Sequence, residues 1–207
     1  MRTIWLFLAR VGTFIFLRWH LYQWWSYFYR WVYEQKYKAV KLVTFAKLSM
    51  IPAFINYGKD WRSDSWQQLG DAVSTPEKAQ QIFSGAEPIP KHGIDCDEHA
   101  VFEAATIEKS IQTGLMQDNV ANPKFFTVTW MNGWKGTGHN VCLLENPQPD
   151  GSVLYSYMDY GNPSAMKRTI HEVAEMIRAK YSEGKPYTGI VWLVSKPDLT
   201  PVKAHWG

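Results

Sequence analysis

Small and apolar residues recur at helical spacing after residue 95, and this stripe predicts the most clearly bounded element of the chain. The stripe consists of Cys96, Ala100, Ala104, Ile107 and Ile111. Asp95 is a good N-cap, and Glu98 can reach back to the cap backbone in a capping box. The pattern therefore predicts a helix that begins at Cys96, turns its thiol inward and ends before Gly114.

Two further helices and several strands are predicted around this helix. One helix has its cap at Ser74 or Thr75 and runs to about Phe83, and another covers residues 168–181. Segments rich in β-branched, aromatic and other apolar residues predict strands at 124–130, 139–145, 152–159 and 188–195.

Two segments are predicted to be loops. Three glycines lie within residues 133–138, but a phosphate-binding loop leads from a strand into a helix, whereas this segment leads into a strand. We therefore interpret it as a surface loop beside the candidate site. The tail from Lys196 is also predicted to be loop.

The clearest strand pair is the hairpin of residues 139–145 and 152–159, which flank the turn sequence Asn-Pro-Gln-Pro-Asp-Gly. If Asn146 pairs with Ser152, His139 lies directly opposite Asp159. Directly opposed side chains have Cβ atoms about 4.5–5.5 Å apart, close enough for an imidazole–carboxylate hydrogen bond.

The N-terminal segment has a different pattern. Residues 3–33 contain no proline, a single glycine and a long apolar run, which predicts a helix. Arg10 and Arg18 interrupt the run, and an arginine at the centre of a membrane span costs about 2.5–3.5 kcal/mol. Trp and Tyr prefer the lipid headgroup level, so we expect this helix to lie on a membrane surface or to dock on a partner or on its own domain. A second helix is predicted over residues 36–50.

Charge and composition divide the chain near residue 56. Residues 1–50 hold eight Lys or Arg and one acid, whereas the whole chain of 207 residues carries a net charge of +3. We predict an N-terminal helical segment, 1–55, for which a membrane surface is one expected location, and one main domain, 56–207. Nucleic-acid binding is disfavoured because the basic segment is apolar and the remainder is net acidic.

Cys96 is a candidate nucleophile. A helix N-terminus stabilises a thiolate, but the acidic side chains within residues 95–98 oppose ionisation, so a positively charged partner is needed. His139 and Asp159 follow in the order of a base and its orienting carboxylate. In the alternative interpretation, Cys96 is a small buried hydrophobic residue, as most free cysteines are.

The sequence around these positions resembles the transglutaminase-like superfamily of cysteine enzymes, including its bacterial and phage members. Residues 93–100 resemble the nucleophile segment, residues 138–141 the histidine strand, and residues 158–163 the end of the aspartate strand. Thr75-Pro76-Glu77 is similar to the start of a helix upstream of the nucleophile. The resemblance covers about residues 60–163.

This resemblance implies a papain-like α+β core in which the nucleophile helix packs on an antiparallel sheet. Cys96 would be the nucleophile, His139 the base and Asp159 the orienting residue of a cysteine peptidase or amidase acting on a protein or peptide, with no cofactor and no metal. Protein-glutamine transglutamination is the close alternative, because both reactions share a thioester step. Trp66 and Gln67 are candidate oxyanion donors.

Two other classes of protein are left open by the sequence. Cys96, His99, His139 and Cys142, with His92 as a spare, could bind zinc, although residues three apart in a strand face opposite sides. If the site is a triad, His99 is expected at the surface or behind it. A non-catalytic membrane- or partner-binding protein is favoured by the N-terminus and disfavoured by the intact Cys, His and Asp set. The cysteine spacing neither supports nor excludes a disulfide.

Overall fold

The computed structural model describes residues 40–55, 73–89, 94–132, 135–182, 184, 187 and 189–206. The helix predicted over residues 3–33 lies outside these ranges, as do the candidate residues Trp66, Gln67 and His92. Among the described residues, no helix is both long enough and apolar enough to cross a membrane.

The described residues form a mixed α+β fold with an open antiparallel sheet, which confirms the predicted class. The strand order is β4-β3-β2-β1-β5-β6. The strands are β1 (Ala121–Asn132), β2 (Lys135–Pro147), β3 (Val153–Asp159), β4 (Asn162–Pro163), β5 (Ile190–Ser195) and β6 (Pro201–Trp206). The helices are α1 (Ile51–Phe54), α2 (Pro76–Phe83), α3 (Cys96–Gln112) and α4 (Ile170–Tyr181).

Helices cover both faces of the sheet. Successive residues of a strand point to opposite faces, and β2 contributes to both layers in this way. Cys142 and Leu144 pack in the core that contains α3 and α2. Val141 and Leu143 pack in the core that contains α4. Neighbouring residues of β2 therefore face different helices.

Helix α3 begins and ends where the sequence predicts. Asp95 Oδ1 accepts a hydrogen bond from Asp97 N at 3.0 Å, and Glu98 Oε2 accepts one from Asp95 N at 3.1 Å, which completes the capping box. Gly114 follows the helix with φ 70°, a left-handed conformation that favours glycine. The helix is buried on more than the predicted stripe, because the sheet covers one side and α2 another.

Helix α2 also has its predicted start, since Thr75 Oγ1 accepts a hydrogen bond from Lys78 N at 3.2 Å.

Two segments that were predicted to be loops form strands instead. Residues 135–138 continue β2 and pair with β1, and Pro201–Trp206 pairs with β5 as an edge strand. Glycine is depleted in strands, so its local signal predicts a loop even where a neighbouring strand pairs with the segment.

The register of the β2–β3 hairpin differs by two residues from the predicted one. Pro147 pairs with Val153, and the turn is closed by the amide of Gly151, which has φ 84°. A hairpin loop that ends in a left-handed glycine is a common short connection. A shift of two keeps every side chain on its predicted face, so His139 and Asp159 share a face but lie diagonally instead of directly opposite.

Residues 40–55 contribute to the main core although they precede the predicted domain boundary. The centroid of the Phe45 ring lies 5.6 Å from that of the Phe54 ring and 6.5 Å from that of the Phe102 ring in α3. The amide of Phe45 donates to Ser110 Oγ at 2.8 Å. A helix was predicted over residues 36–50. For residues 40–47 this prediction is wrong, because they are not helical. The division at residue 56 itself stays a prediction.

We expect Phe45→Ala to lower the free energy of unfolding by about 3–5 kcal/mol, because it leaves a cavity between α1 and α3. Met50→Ala is the control, since Met50 is 48% exposed and should change stability by less than about 0.5 kcal/mol. Urea unfolding of both variants measures the difference. Equal, small effects would contradict the assignment of this segment to the core.

Candidate active site

A buried hydrogen bond joins His139 and Asp159. His139 Nε2 lies 2.8 Å from Asp159 Oδ1, and the two residues are 6% and 3% exposed. An ionised carboxylate can only accept, so Nε2 carries the hydrogen and Nδ1 is the ring nitrogen that can take a proton. The expected contact is present, because an imidazole is long enough to bridge a diagonal pair.

Helix α4 supplies two more donors to the same carboxylate. Lys180 Nζ lies 2.6 Å from Asp159 Oδ2, and Tyr181 Oη donates to that oxygen as well. Burial alone would raise the pKa of Asp159, but the hydrogen bond and charge of His139, followed by the bonds from Lys180 and Tyr181, lower it to about 2. Asp159 is therefore ionised at neutral pH. Neither donor could be predicted from the sequence, since no local motif connects them to β3.

Two tyrosine rings contact the His139 ring. The Tyr181 centroid lies 3.9 Å from it and the Tyr160 centroid 5.7 Å. Tyr160 follows the end of β3 with φ 51°, and its ring also lies 4.7 Å from the ring of His99 in α3. Because β3 pairs with β2 only between residues 142 and 147, His139 lies beyond the end of β3. At this end of the strand, Tyr160 contacts residues of both layers.

Cys96 occupies the first position of α3, as predicted, and is half-buried. Its Sγ lies 3.8 Å from Asn140 Nδ2 and 3.7 Å from Asp97 Oδ1. Asn140 is the neighbour of His139 in β2 and faces α3. The thiol is therefore next to the strand that carries the candidate base.

The charge of Cys96 also affects the two tyrosines that contact His139. Burial, followed by the charge of Cys96, raises the pKa of Tyr160. Burial, the bond to Asp159 and, as a smaller cause, the charge of Cys96 raise the pKa of Tyr181. The charge of Cys96 therefore acts on both tyrosines whose rings contact His139. Their roles as nucleophile and base remain predictions.

The four residues of the alternative zinc set do not form a cluster of ligands. Within the described ranges, the single cluster of three possible ligands is Asp95, Cys96 and Asp97, whose ligand atoms lie within 4.8 Å of one another. Cys142 lies instead in the core under α3, where burial raises the pKa of its thiol. Both cysteines are thiols.

His99 is buried, so of its two expected places, at the surface or behind the site, the surface is wrong. Its ring lies 4.5 Å from the Phe83 ring and packs against Tyr160 on another side. Burial lowers the pKa of His99 to about 4, against a smaller opposing effect of the Asp159 charge. His99 is therefore a neutral ring behind the Tyr160 turn.

Glu103 is a fully buried carboxyl group of α3 that sequence analysis did not single out. Its Oε1 accepts a hydrogen bond from Gly161 N at 2.6 Å. Gly161 has φ 79°, and an added Cβ would lie 3.1 Å from Pro52, so any other residue would be strained and crowded there. Burial raises the pKa of Glu103 to about 8, although the Gly161 bond opposes this. A neutral Glu103 thus holds the turn that carries Tyr160.

Comparison of the chain with protein-family models, with curated proteins and with solved structures found no match. The family likeness therefore rests on the motifs quoted above, and the function on the geometry of the site.

We expect Glu103→Gln to flatten the pH dependence of stability. Glu103 loses its proton near pH 4.5 when unfolded and near 8 when folded, so the folded state binds more protons between these values. The contribution of Glu103 to the free energy of unfolding should then fall across this window by up to about 1.4 kcal/mol per pH unit. Gln keeps the acceptor for Gly161 but does not titrate.

The measurement is urea unfolding of wild type and variant at pH 5 and pH 8. Glu108→Gln, on the same helix and partly exposed, is the control. The same pH difference in wild type and Glu103→Gln would contradict a neutral Glu103.

Proposed function

We propose that the protein is a thiol-dependent acyl-transfer enzyme, a cysteine peptidase or amidase that hydrolyses a peptide or isopeptide bond. Cys96 is the nucleophile, His139 the base and Asp159 the orienting carboxylate. The observation that carries the proposal is the buried His139–Asp159 bond, held by α4, on a strand whose next residue, Asn140, lies 3.8 Å from the Cys96 thiol at the N-terminus of α3. A buried carboxylate that accepts a hydrogen bond from an imidazole and orients it is a common feature of nucleophilic triads.

The fold supports the finer proposal of a transglutaminase-like core. A helix that starts at the candidate nucleophile packs against an antiparallel sheet, and adjacent strands of that sheet carry the histidine and the aspartate. This is the arrangement that the sequence resemblance implies. Fold likeness alone does not assign chemistry, so the proposal depends on the side chains.

The reaction uses His139 twice. Its Nδ1 takes the proton of Cys96, and the thiolate forms a bond to the substrate carbonyl carbon. The imidazolium then returns the proton to the departing amine as the C–N bond breaks and a thioester remains. Water, deprotonated by His139, hydrolyses the thioester. An amine in place of water would give transamidation, so an assay with and without an added primary amine separates the two products.

The acidic start of α3 gives the imidazolium a second role. Asp97 lies against the sulfur and opposes its ionisation, so a thiolate requires a nearby positive charge. An imidazolium held by Asp159 supplies that charge.

The proposed substrate is a protein or peptide. Residues 1–50 are proposed to set the location of the protein through a membrane surface or a partner helix.

We expect iodoacetamide to label Cys96 faster than Cys142, which is 0% exposed. Burial alone predicts this order, so the test of the proposal is the pH profile. The rate at Cys96 should rise with a midpoint near neutral pH, well below the ordinary thiol value of about 8.5. His139→Asn should move this midpoint upward. Slow labelling of both cysteines, or a profile that His139→Asn does not change, would contradict the thiolate–imidazolium pair.

Asp159→Asn should keep the fold but lower turnover by up to about 10⁴-fold, since loss of the orienting carboxylate has that effect in a serine triad. It should also raise the apparent pKa of the Cys96 thiol, because a less stabilised imidazolium stabilises the thiolate less. Asp150→Asn, in the exposed hairpin turn, is the matched control.

Peptide-library turnover and iodoacetamide pH profiles measure the two effects of Asp159→Asn. Wild-type thiol reactivity in Asp159→Asn at every pH would show that the pair does not act on Cys96. No turnover in the wild type would favour the non-catalytic binding protein.

A further inference from the structure

Asn140 holds its side-chain amide beside the candidate nucleophile. Its Nδ2 lies 3.8 Å from Cys96 Sγ and donates a hydrogen bond to Asp97 Oδ1. Asp97 is 1% exposed and is the second residue of α3, so the acceptor is fixed by the helix. A buried carboxylate thus holds this amide next to the sulfur.

The identity of the donor atom follows from its partner. A carboxylate accepts hydrogen bonds and repels an amide oxygen, so the nitrogen of Asn140 must face Asp97. The amide nitrogen carries two hydrogens. One is directed to Asp97, and the second is available on the sulfur side.

We propose that Asn140 is a catalytic residue that stabilises the oxyanion formed when Cys96 attacks a carbonyl group, with Asp97 as the residue that positions it. The inference rests on the proposed function. In this step the sulfur lone pair forms the S–C bond and the C=O π pair moves to oxygen. The Nδ2–H of Asn140 then donates to that oxygen until the pair returns and the leaving group departs.

The distance fits this role. The oxyanion is separated from Sγ by one carbon atom, so a donor 3.8 Å from the sulfur is within reach of an oxygen that it must approach to about 2.7–3.1 Å. Trp66 and Gln67, the donors considered from sequence, lie outside the described residues.

A purely structural role for Asn140 is the competing explanation, because the same amide connects β2 to the start of α3. Two reagents separate the roles. p-Nitrophenyl acetate acylates the thiolate through a tetrahedral oxyanion and releases p-nitrophenolate. Iodoacetamide alkylates the same thiolate by displacing iodide at a saturated carbon, with no oxyanion. A disturbed helix start slows both reactions, whereas loss of an oxyanion donor slows only the first.

The experiment measures both rates in the full chain for wild type, Asn140→Ala and Asn140→Ser. The serine keeps a hydroxyl group on the α3 side of β2 but lacks the Nδ2 donor. Asn146→Ala is the matched control, since Asn146 is the other inward-facing asparagine of β2 and its amide donates to Ser156 Oγ at 2.9 Å, away from the sulfur. Cys96→Ser provides the background rate.

We expect both Asn140 variants to lose about 100-fold in acylation and less than about threefold in alkylation, as removal of one oxyanion donor does. Asn146→Ala should change neither rate. Equal losses in both reactions, or no loss in acylation, would overturn the inference while leaving the proposed function intact. A wild type whose Cys96 reacts with neither reagent would overturn the proposed function and this inference with it.

Discussion

The carboxylate of Asp159 is the group on which the rest of the candidate site depends. It accepts hydrogen bonds from His139 on β2 and from Lys180 and Tyr181 on α4, so one buried anion connects the sheet to the helix on that face. An ion buried without donors is strongly destabilising, which means that the site forms only when α4 docks. The docking is secured by apolar side chains one to two turns earlier, Val173, Ala174 and Ile177.

The helix ends near the site could be predicted because caps are local interactions. Asp95 and Glu98 are three residues apart and satisfy each other's backbone groups, and Gly114 supplies the left-handed conformation that ends α3. These signals do not depend on the remainder of the fold. They place Cys96 at the first turn whatever packs around it.

The contact between His139 and Asp159 was predicted from a register that is wrong by two residues. The error lies in the turn, where Gln148 N donates to Ser152 O and a left-handed Gly151 completes the connection, so Pro147 still pairs with Val153. The face of each side chain has a period of two, so the error did not move either residue to the other face. The partners contributed by Lys180, Asn140 and Glu103 lie 21, 43 and 58 residues from the groups they contact. No local pattern specifies such pairs.

The two buried carboxyl groups near the site are held in opposite protonation states. Asp159 accepts bonds from a lysine, a tyrosine and an imidazole and is ionised, whereas Glu103 accepts one backbone amide and stays neutral to about pH 8. In acid–base sites, differences in burial and in hydrogen-bond donors separate the pKa values of two such groups, and this separation determines which one is the acid and which the base. His99, with a pKa of about 4, is neutral as well. Of the two rings beside Tyr160, His139 is therefore the one to which the proposed mechanism assigns the positive charge.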